Sequence, residues 1–289
     1  EWEKGNRRIF FDWGNRGNIR ALQFFNDAVG SNDPQTLEEA GNGFLFRRGY
    51  SVVFAGWQGD LLAGNGRFLM DLPVATDQGK SITGLVRCEY ILEEEGVTTQ
   101  PLSGWASTRS HPTVSLDTLQ ATLTRRQYGD SPREVIPPDQ WMFARDEGGS
   151  GLDGVSKQTA IVPSDSNLFL PGGFEPGWIY ELVYTGKDPL VLGLGHTAVR
   201  DFISFLKYDA SDDEGTPNPL GSGKIEKAYG WGRSQTGRAI RDFVYHGYNE
   251  DLKGRKVFDG LLPHVSGAGL LWMNHRFANA VSPAGQEHE

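Results

Sequence analysis

Apolar and polar positions change texture twice along this chain. Near the start the apolar residues come in short unbroken runs. Arg8–Trp13 (RIFFDW) and Ser51–Gly56 (SVVFAG) are aromatic and β-branched runs closed by glycine-bearing turns, so each predicts a buried strand. Between them Ile19–Ala28 places Ile19, Leu22, Phe24, Phe25 and Ala28 at a spacing that suits a short helix. Phe44–Phe46 leads into a turn at Arg48–Tyr50.

The middle is different. Ile82–Leu92, Thr113–Leu123, Gln140–Ala144 and Thr159–Val162 alternate or are rich in β-formers, and predict strands. Asp130–Pro138 and Asp146–Gly154 read as turns. After Pro176 the first texture returns. Trp178–Tyr184 reads as a strand, Val191–Leu194 as a short extended piece, and His196–Leu206 as an amphipathic helix. An acidic Gly/Pro loop, Ser211–Gly223, precedes a strand at Ile225–Trp231, a helix at Gln235–Tyr248 and a strand at Val257–Val265. The organisation expected is therefore an α/β core over residues 1–71 and 176–289, split by a β-rich insertion or cap over residues 72–175.

Composition narrows the function. With 38% hydrophobic and 22% charged residues and 8 Trp, a sizeable core is expected rather than disorder. The net charge of −9 repels phosphate backbones, so no nucleic-acid partner is expected. No apolar run approaches a membrane span. The lone cysteine, Cys88, excludes an internal disulfide, and no spacing of His, Cys or carboxylates implies a metal. No cofactor is expected.

The segment with the most chemistry is Lys227–Arg238, KAYGWGRSQTGR. A strand runs into Gly232-Arg233-Ser234-Gln235-Thr236-Gly237 and a helix leaves it, which is the setting of a nucleophile elbow. A serine in such a strained turn lifts its hydroxyl clear of the backbone, beside free N–H groups of a helix N-terminus. Ser234 is the expected nucleophile and the Gln235 N–H one oxyanion donor. The second donor is expected in the glycine-bearing turn after the first strand, Gly14, Asn15, Arg16 and Gly17. The usual spacing is Gly-x-Ser-x-Gly; here Thr236 holds the last position and Gly237 follows it. An ordinary strand–turn–helix junction with Ser234 as N-cap is the competing reading.

These motifs resemble a family of large bacterial proteins, the α/β-hydrolase domain-containing proteins. The similarity is carried by Gly232–Arg238, Tyr248–Asp251, Gly254–Gly260 with Pro263-His264-Val265, and Asn274–Phe277. Upstream, Asn15–Gly17, Arg48–Tyr50 and Gly56–Asp60 resemble further motifs of that family. The resemblance implies an α/β-hydrolase fold and a serine hydrolase acting on small-molecule esters. In that fold the acid and histidine of the triad follow the serine, each after a further strand. The stretch after Ser234 holds only a helix, a strand and a loop, so the expectation is an incomplete fold, a fragment without its C-terminal strands, and nearly inactive alone.

Within the chain His264, at the carboxyl end of a strand, His275 and Arg238 are expected to line the pocket. Arg16, Arg238 and Arg241 are candidates for binding a substrate carboxylate, or else form salt bridges. Two other function classes stay open: a non-catalytic binding protein on the same scaffold, and an NAD(P)-dependent oxidoreductase. The second rests on Gly193-Leu-Gly195-His-Thr-Ala198, which has dinucleotide-motif spacing, with Asp212 or Asp213 as the ribose-binding acid.

Overall fold

A computed structural model describes residues 4–103, 107–146, 160–221, 223–269 and 271–280. The chain begins β1 (Arg8–Trp13), α1 (Ala21–Asn26), α2 (Leu37–Ala40), α3 (Phe44–Arg47) and β2 (Ser51–Ala55). Then come β3 (Thr76–Asp77), β4 (Lys80–Ser81), β5 (Thr83–Ile91), β6 (Thr99–Pro101), β7 (Thr122–Arg126) and β8 (Glu134–Ile136). β9 (Ala144–Asp146), β10 (Ile161–Pro163), β11 (Asn167–Phe169) and β12 (Ile179–Lys187) complete the middle. The chain continues as α4 (Leu194–Tyr208), β13 (Lys227–Arg233), α5 (Gln235–Tyr245) and β14 (Gly260–His264). These elements form two compact units, Glu1–Leu72 with Leu192–Met273, and Pro73–Val191 with Asn274–Glu289.

The first unit is built on a four-stranded sheet in the order β14-β13-β1-β2, with every pairing parallel. β1 shows why. Its last five residues are all buried, as expected of a strand covered on both faces. Phe11 and Trp13 point to one face, where Trp13 meets Phe243 of α5 at 5.1 Å and His196 of α4 at 6.2 Å between ring centroids. Phe10 points to the other, meeting Phe25 of α1 at 4.9 Å and sharing a cluster with Leu45 of α3 and Trp231 of β13. The buried Lys207 of α4 donates to the carbonyls of Lys256 and Val257 and to Asp259, so its charge is matched.

The second unit holds an antiparallel sheet in the order β5-β12-β7-β8. Its core gathers Leu123, Trp141, Phe143, Tyr180, Leu182 and Tyr184. Short antiparallel pairs β3-β4, β6-β11 and β9-β10 complete it.

Several elements depart from the sequence expectation. An α/β core was expected from residue 176, yet β12 pairs along its length with β5 in the antiparallel sheet. Tyr180, Leu182 and Tyr184 alternate into that core, a period-2 pattern proper to a two-faced strand. Thr113–Leu123 is not one strand: Thr113 makes a lone bridge, and Asp117 caps a 3₁₀ turn at Thr118–Gln120 before β7 begins. Gln140–Ala144 is split by a 3₁₀ turn, Pro138–Gln140, and by a lone bridge at Met142, before β9 starts at Ala144. β8 lies inside the expected Asp130–Pro138 turn. The first helix stops at Asn26, because Asp27 takes the left-handed conformation at φ 50°. Leu194, expected in an extended piece, opens α4. Thr159 and most of Asp146–Gly154 lie outside the described residues.

Candidate active site

The carboxyl ends of β1, β13 and β14 converge, and the chemistry-bearing residues of the first unit collect there. In register, Asp12 of β1 faces Trp231 of β13, and Arg233 at the end of β13 faces His264 at the end of β14. Ser234 occupies the bend between β13 and α5, at φ 59° and ψ −115°. A serine gains nothing from that backbone region by itself; it costs about 1–3 kcal/mol and persists where the surroundings impose it. Ser234 is exposed, while Gln235, Thr236 and Gly237 behind it are buried. Its N–H donates to the His264 carbonyl at 3.0 Å, and its own carbonyl accepts from the Arg238 N–H at 3.0 Å.

The small residues around the bend each have a steric reason. A β-carbon on Gly232 would lie 2.6 Å from the Thr236 carbonyl oxygen, and one on Gly237 would lie 2.8 Å from the His264 carbonyl oxygen. The displaced glycine of the motif thus marks where α5 crosses the end of β14. Thr236 has a different task. Its hydroxyl accepts from the Arg233 N–H at 2.9 Å and donates to the Arg233 carbonyl at 3.1 Å, closing the bend from inside.

The turn after β1 is tied to this bend. Asn15 and Asn18 exchange backbone hydrogen bonds of 3.0 Å, with Arg16 at φ 51° and Gly17 at φ 75°. The Asn15 side chain donates to the Arg233 carbonyl at 2.7 Å, and Arg16 donates to the Asn15 side chain at 3.0 Å. The Gly14 carbonyl accepts from the Trp57 indole at 2.8 Å. A β-carbon at Gly17 would lie 2.8 Å from the Phe68 carbonyl oxygen. Arg16 is half-buried, and its guanidinium is held below its usual pKa by burial and then by the neighbouring Arg238 and Arg20 cations, with Asp60 opposing. Gln235 donates through its side chain to Gln58, which donates to Asp60 at 2.7 Å.

Asp12 of β1 carries no sequence motif of its own. It is buried, and one carboxylate oxygen accepts from the Arg20 and Ala21 N–H groups at 2.6 and 2.7 Å, fastening α1 beneath the turn. Burial raises its pKa to about 6 against those two hydrogen bonds and the Arg20 charge. The only local signal was an acid inside an aromatic run. Phe24 was read as a helix-face residue; it is 48% exposed and lies against Trp231, His264 and the Arg233 guanidinium, so these side chains form one rim near Ser234.

Of the expected pocket residues, His264 and Arg238 lie beside the bend, His264 exposed and Arg238 half-buried. Among the described residues no histidine hydrogen-bonds the Ser234 hydroxyl. His275 is exposed and falls in the other compact unit. Arg241 donates to the Gly267 carbonyl and ties α5 to the loop after β14. An apolar groove of about 450 Å³ runs along α5 past Arg238, Arg241, Tyr245, Leu261 and Pro263, but Ser234 does not line it.

The dinucleotide-like glycines have a packing explanation. A β-carbon on Gly195 would lie 2.0 Å from the Trp57 carbonyl oxygen, so the first turn of α4 needs a glycine there. Asp212 is exposed and accepts from the Glu214 and Thr216 N–H groups of its own loop. Among the described residues no group of three or more His, Cys, Asp or Glu is placed to hold a metal ion, and no helix is long and apolar enough to cross a membrane.

A family model described as an alpha/beta hydrolase domain matches residues 142–288, just over half of the chain. No curated protein and no solved structure matches it.

Proposed function

Because the chain belongs to the alpha/beta hydrolase domain family, we propose that it is a serine hydrolase that cleaves small-molecule esters through an acyl-enzyme on Ser234. The observation that carries this reading is the exposed Ser234 in a sparsely populated backbone conformation, held between the end of a parallel strand and the start of a helix. A hydroxyl so placed attacks a carbonyl without a backbone rearrangement. The positive end of α5 stands behind it.

The Gln235 N–H and the turn formed by Gly14, Asn15, Arg16 and Gly17 would hold the oxyanion. The Asn15 bond to the Arg233 carbonyl supports that role, since it fixes the turn against the nucleophile. Each donor of this kind contributes about 10²–10³ in rate. The base that takes the Ser234 proton, and the acid that orients it, are assigned to no described residue. His264 belongs to the rim and Arg238 follows the bend one helical turn on; both are read as contacting substrate. The parallel unit carries this machinery; the antiparallel unit is read as a β-rich insertion into it.

The test is ester hydrolysis by the full-length protein on a chain-length series of 4-nitrophenyl esters. Ser234→Ala should remove turnover above the solution rate. Turnover that survives the substitution unchanged contradicts the assignment. The second reading, a binding protein on a hydrolase scaffold, draws on the absence of a described histidine hydrogen-bonded to Ser234. It predicts no turnover of any ester in the series.

A further inference from the structure

The run Gly56–Asp60, GWQGD, follows β2 and stands outside the groups assigned to acyl transfer, yet Trp57, Gln58, Gly59 and Asp60 are all buried. Its glycines have a steric cause. A β-carbon on Gly56 would lie 2.4 Å from the Leu69 carbonyl oxygen, and one on Gly59 would lie 2.4 Å from that of Met70. The Met70 N–H donates to the Gln58 carbonyl at 3.1 Å. On another side the Trp57 carbonyl oxygen meets Gly195 of α4, where a β-carbon would lie 2.0 Å away. The run is gripped through its backbone, so its two large side chains start from a fixed place.

Those side chains go to different segments. Trp57 donates its indole N–H to the Gly14 carbonyl at 2.8 Å, with its ring stacked on His196. Gln58 accepts from the Gln235 side chain at 3.0 Å and donates to Asp60 at 2.7 Å. A buried amide is costly unless paired, and both ends of this one are paired. A carboxylate only accepts, so Asp60 decides which way the Gln58 amide faces, Nε2 to Asp60 and Oε1 to Gln235.

Together these contacts close a ring. Gln235 reaches Gln58, the chain passes from Gln58 to Trp57, and Trp57 reaches Gly14. The chain then passes from Gly14 to Asn15, whose side chain donates to the Arg233 carbonyl at 2.7 Å, two residues before Gln235. Both segments read as oxyanion donors, the start of α5 and the turn after β1, are members of this ring. Their separation is therefore set from a third segment of the chain. Such a separation matters, because a misplacement of about 1 Å at a reacting centre costs up to about 10² in rate.

We propose that Trp57 and Gln58 are positioning residues that hold the two oxyanion-donor segments at a fixed separation. This rests on the reading of Ser234 as nucleophile, and it assigns a role to residues outside the groups that carry out acyl transfer. Trp57 acts through the Gly14 carbonyl, and Gln58 acts through the Gln235 side chain.

The test is the rate at which a fluorophosphonate labels Ser234 in the folded full-length protein, followed by peptide mass spectrometry over a range of reagent concentrations. The phosphonyl oxygen has to enter the same gap as a carboxylic oxyanion, so the rate reports the gap without a known substrate. Gln58→Met keeps the side-chain length and removes both polar ends. Trp57→Phe keeps an aromatic ring against His196 and removes the N–H. Each should slow labelling about 10–100-fold. The loss should fall on the maximal rate and leave the half-saturating concentration unchanged, as expected of contacts that act only in the transition state. Asn218→Ala is the control for stability alone. It removes bonds to the Phe205, Leu206 and Asp209 carbonyls at the end of α4, so it should lower the urea midpoint and leave the labelling rate unchanged. If Gln58→Met does not fold, Trp57→Phe decides. Labelling at the parent's rate in the folded variants, or a loss confined to reagent affinity, overturns the proposal and leaves Ser234 as nucleophile. Equal slowing in Asn218→Ala overturns it too, since the loss would then follow from stability. No adduct on Ser234 in the parent overturns the reading of Ser234, and the positioning role with it.

Discussion

The Ser234 N–H donates to the His264 carbonyl at 3.0 Å, so the bend at the end of β13 is anchored by the end of the neighbouring strand as well as by its own helix. A lone strand–turn–helix junction would have no reason to hold a serine at φ 59° and ψ −115°. The strand next door supplies one. It also explains the position of the second glycine, since Gly237 is where α5 passes that same carbonyl.

Gly237→Ala should therefore be costly although the position is helical. Its β-carbon would meet the His264 carbonyl oxygen at 2.8 Å and the Ser266 β-carbon at 2.9 Å. Overpacking of this kind costs about 1–3 kcal/mol, where alanine normally favours a helix by about 1. Urea unfolding of the variant should show a lower midpoint. An unchanged or higher midpoint would mean that α5 and β14 are not locked as described.

Thr236→Val tests the bend from inside. Valine keeps the shape but removes the hydroxyl that accepts from the Arg233 N–H and donates to its carbonyl. The loss should be about 1–3 kcal/mol in unfolding free energy, since polar groups are left behind without their partner. Thr236→Ser should recover most of it. Equal stability of the valine and serine variants would contradict the role given to the hydroxyl.

Asp12 predicts a pH dependence with a definite sign. Its folded pKa of about 6 lies above the ordinary 3.8, so the folded state binds the proton more tightly than the unfolded chain. The stabilisation is fully present below about pH 4 and is lost as pH rises through about 6, a change of roughly 3 kcal/mol. Asp251 works the other way. Against the cost of burial, the Ser204 hydroxyl and Arg255 hold it below the ordinary range, and its contribution is lost as pH falls. The clean observable is thus the stability difference between the parent and Asp12→Asn, measured by urea unfolding at pH 4.5 and 7.5. That difference should shift in favour of the asparagine at the higher pH. A difference independent of pH would contradict the assignment.

How much of this was legible in the sequence depends on how local each signal is. The parallel unit was legible where a strand is covered on both faces. Arg8–Trp13 is an apolar run interrupted only by Asp12 because α1 and α3 lie over one side of β1 and α4 and α5 over the other, whereas Ser51–Ala55, expected as a buried strand, is the edge strand of the sheet and only half-buried. The bend at Ser234 was legible because a glycine-bearing hexapeptide joined two clear textures. The antiparallel unit was less so. Ile179–Lys187 looks like a core strand by composition, and only its partner, Thr83–Ile91, shows which sheet it joins. Glu134–Ile136 hides among prolines and acids because it is a short edge strand, paired on one side with Thr122–Arg126. At the site, Ser234, Gln235 and the Gly14–Gly17 turn could be singled out from spacing. The roles of Asp12 and Gln58 were not legible, because they depend on N–H groups and side chains brought in by other segments, and Thr236 was legible only as a departure from the usual spacing.

The measurement that bears most directly on the central claim is covalent labelling of the full-length protein with a fluorophosphonate, with the adduct located by peptide mass spectrometry. The account predicts one adduct, on Ser234 within the peptide that spans β13 and α5, and none in Ser234→Ala. An adduct on another residue, or undiminished labelling of the alanine variant, would contradict it.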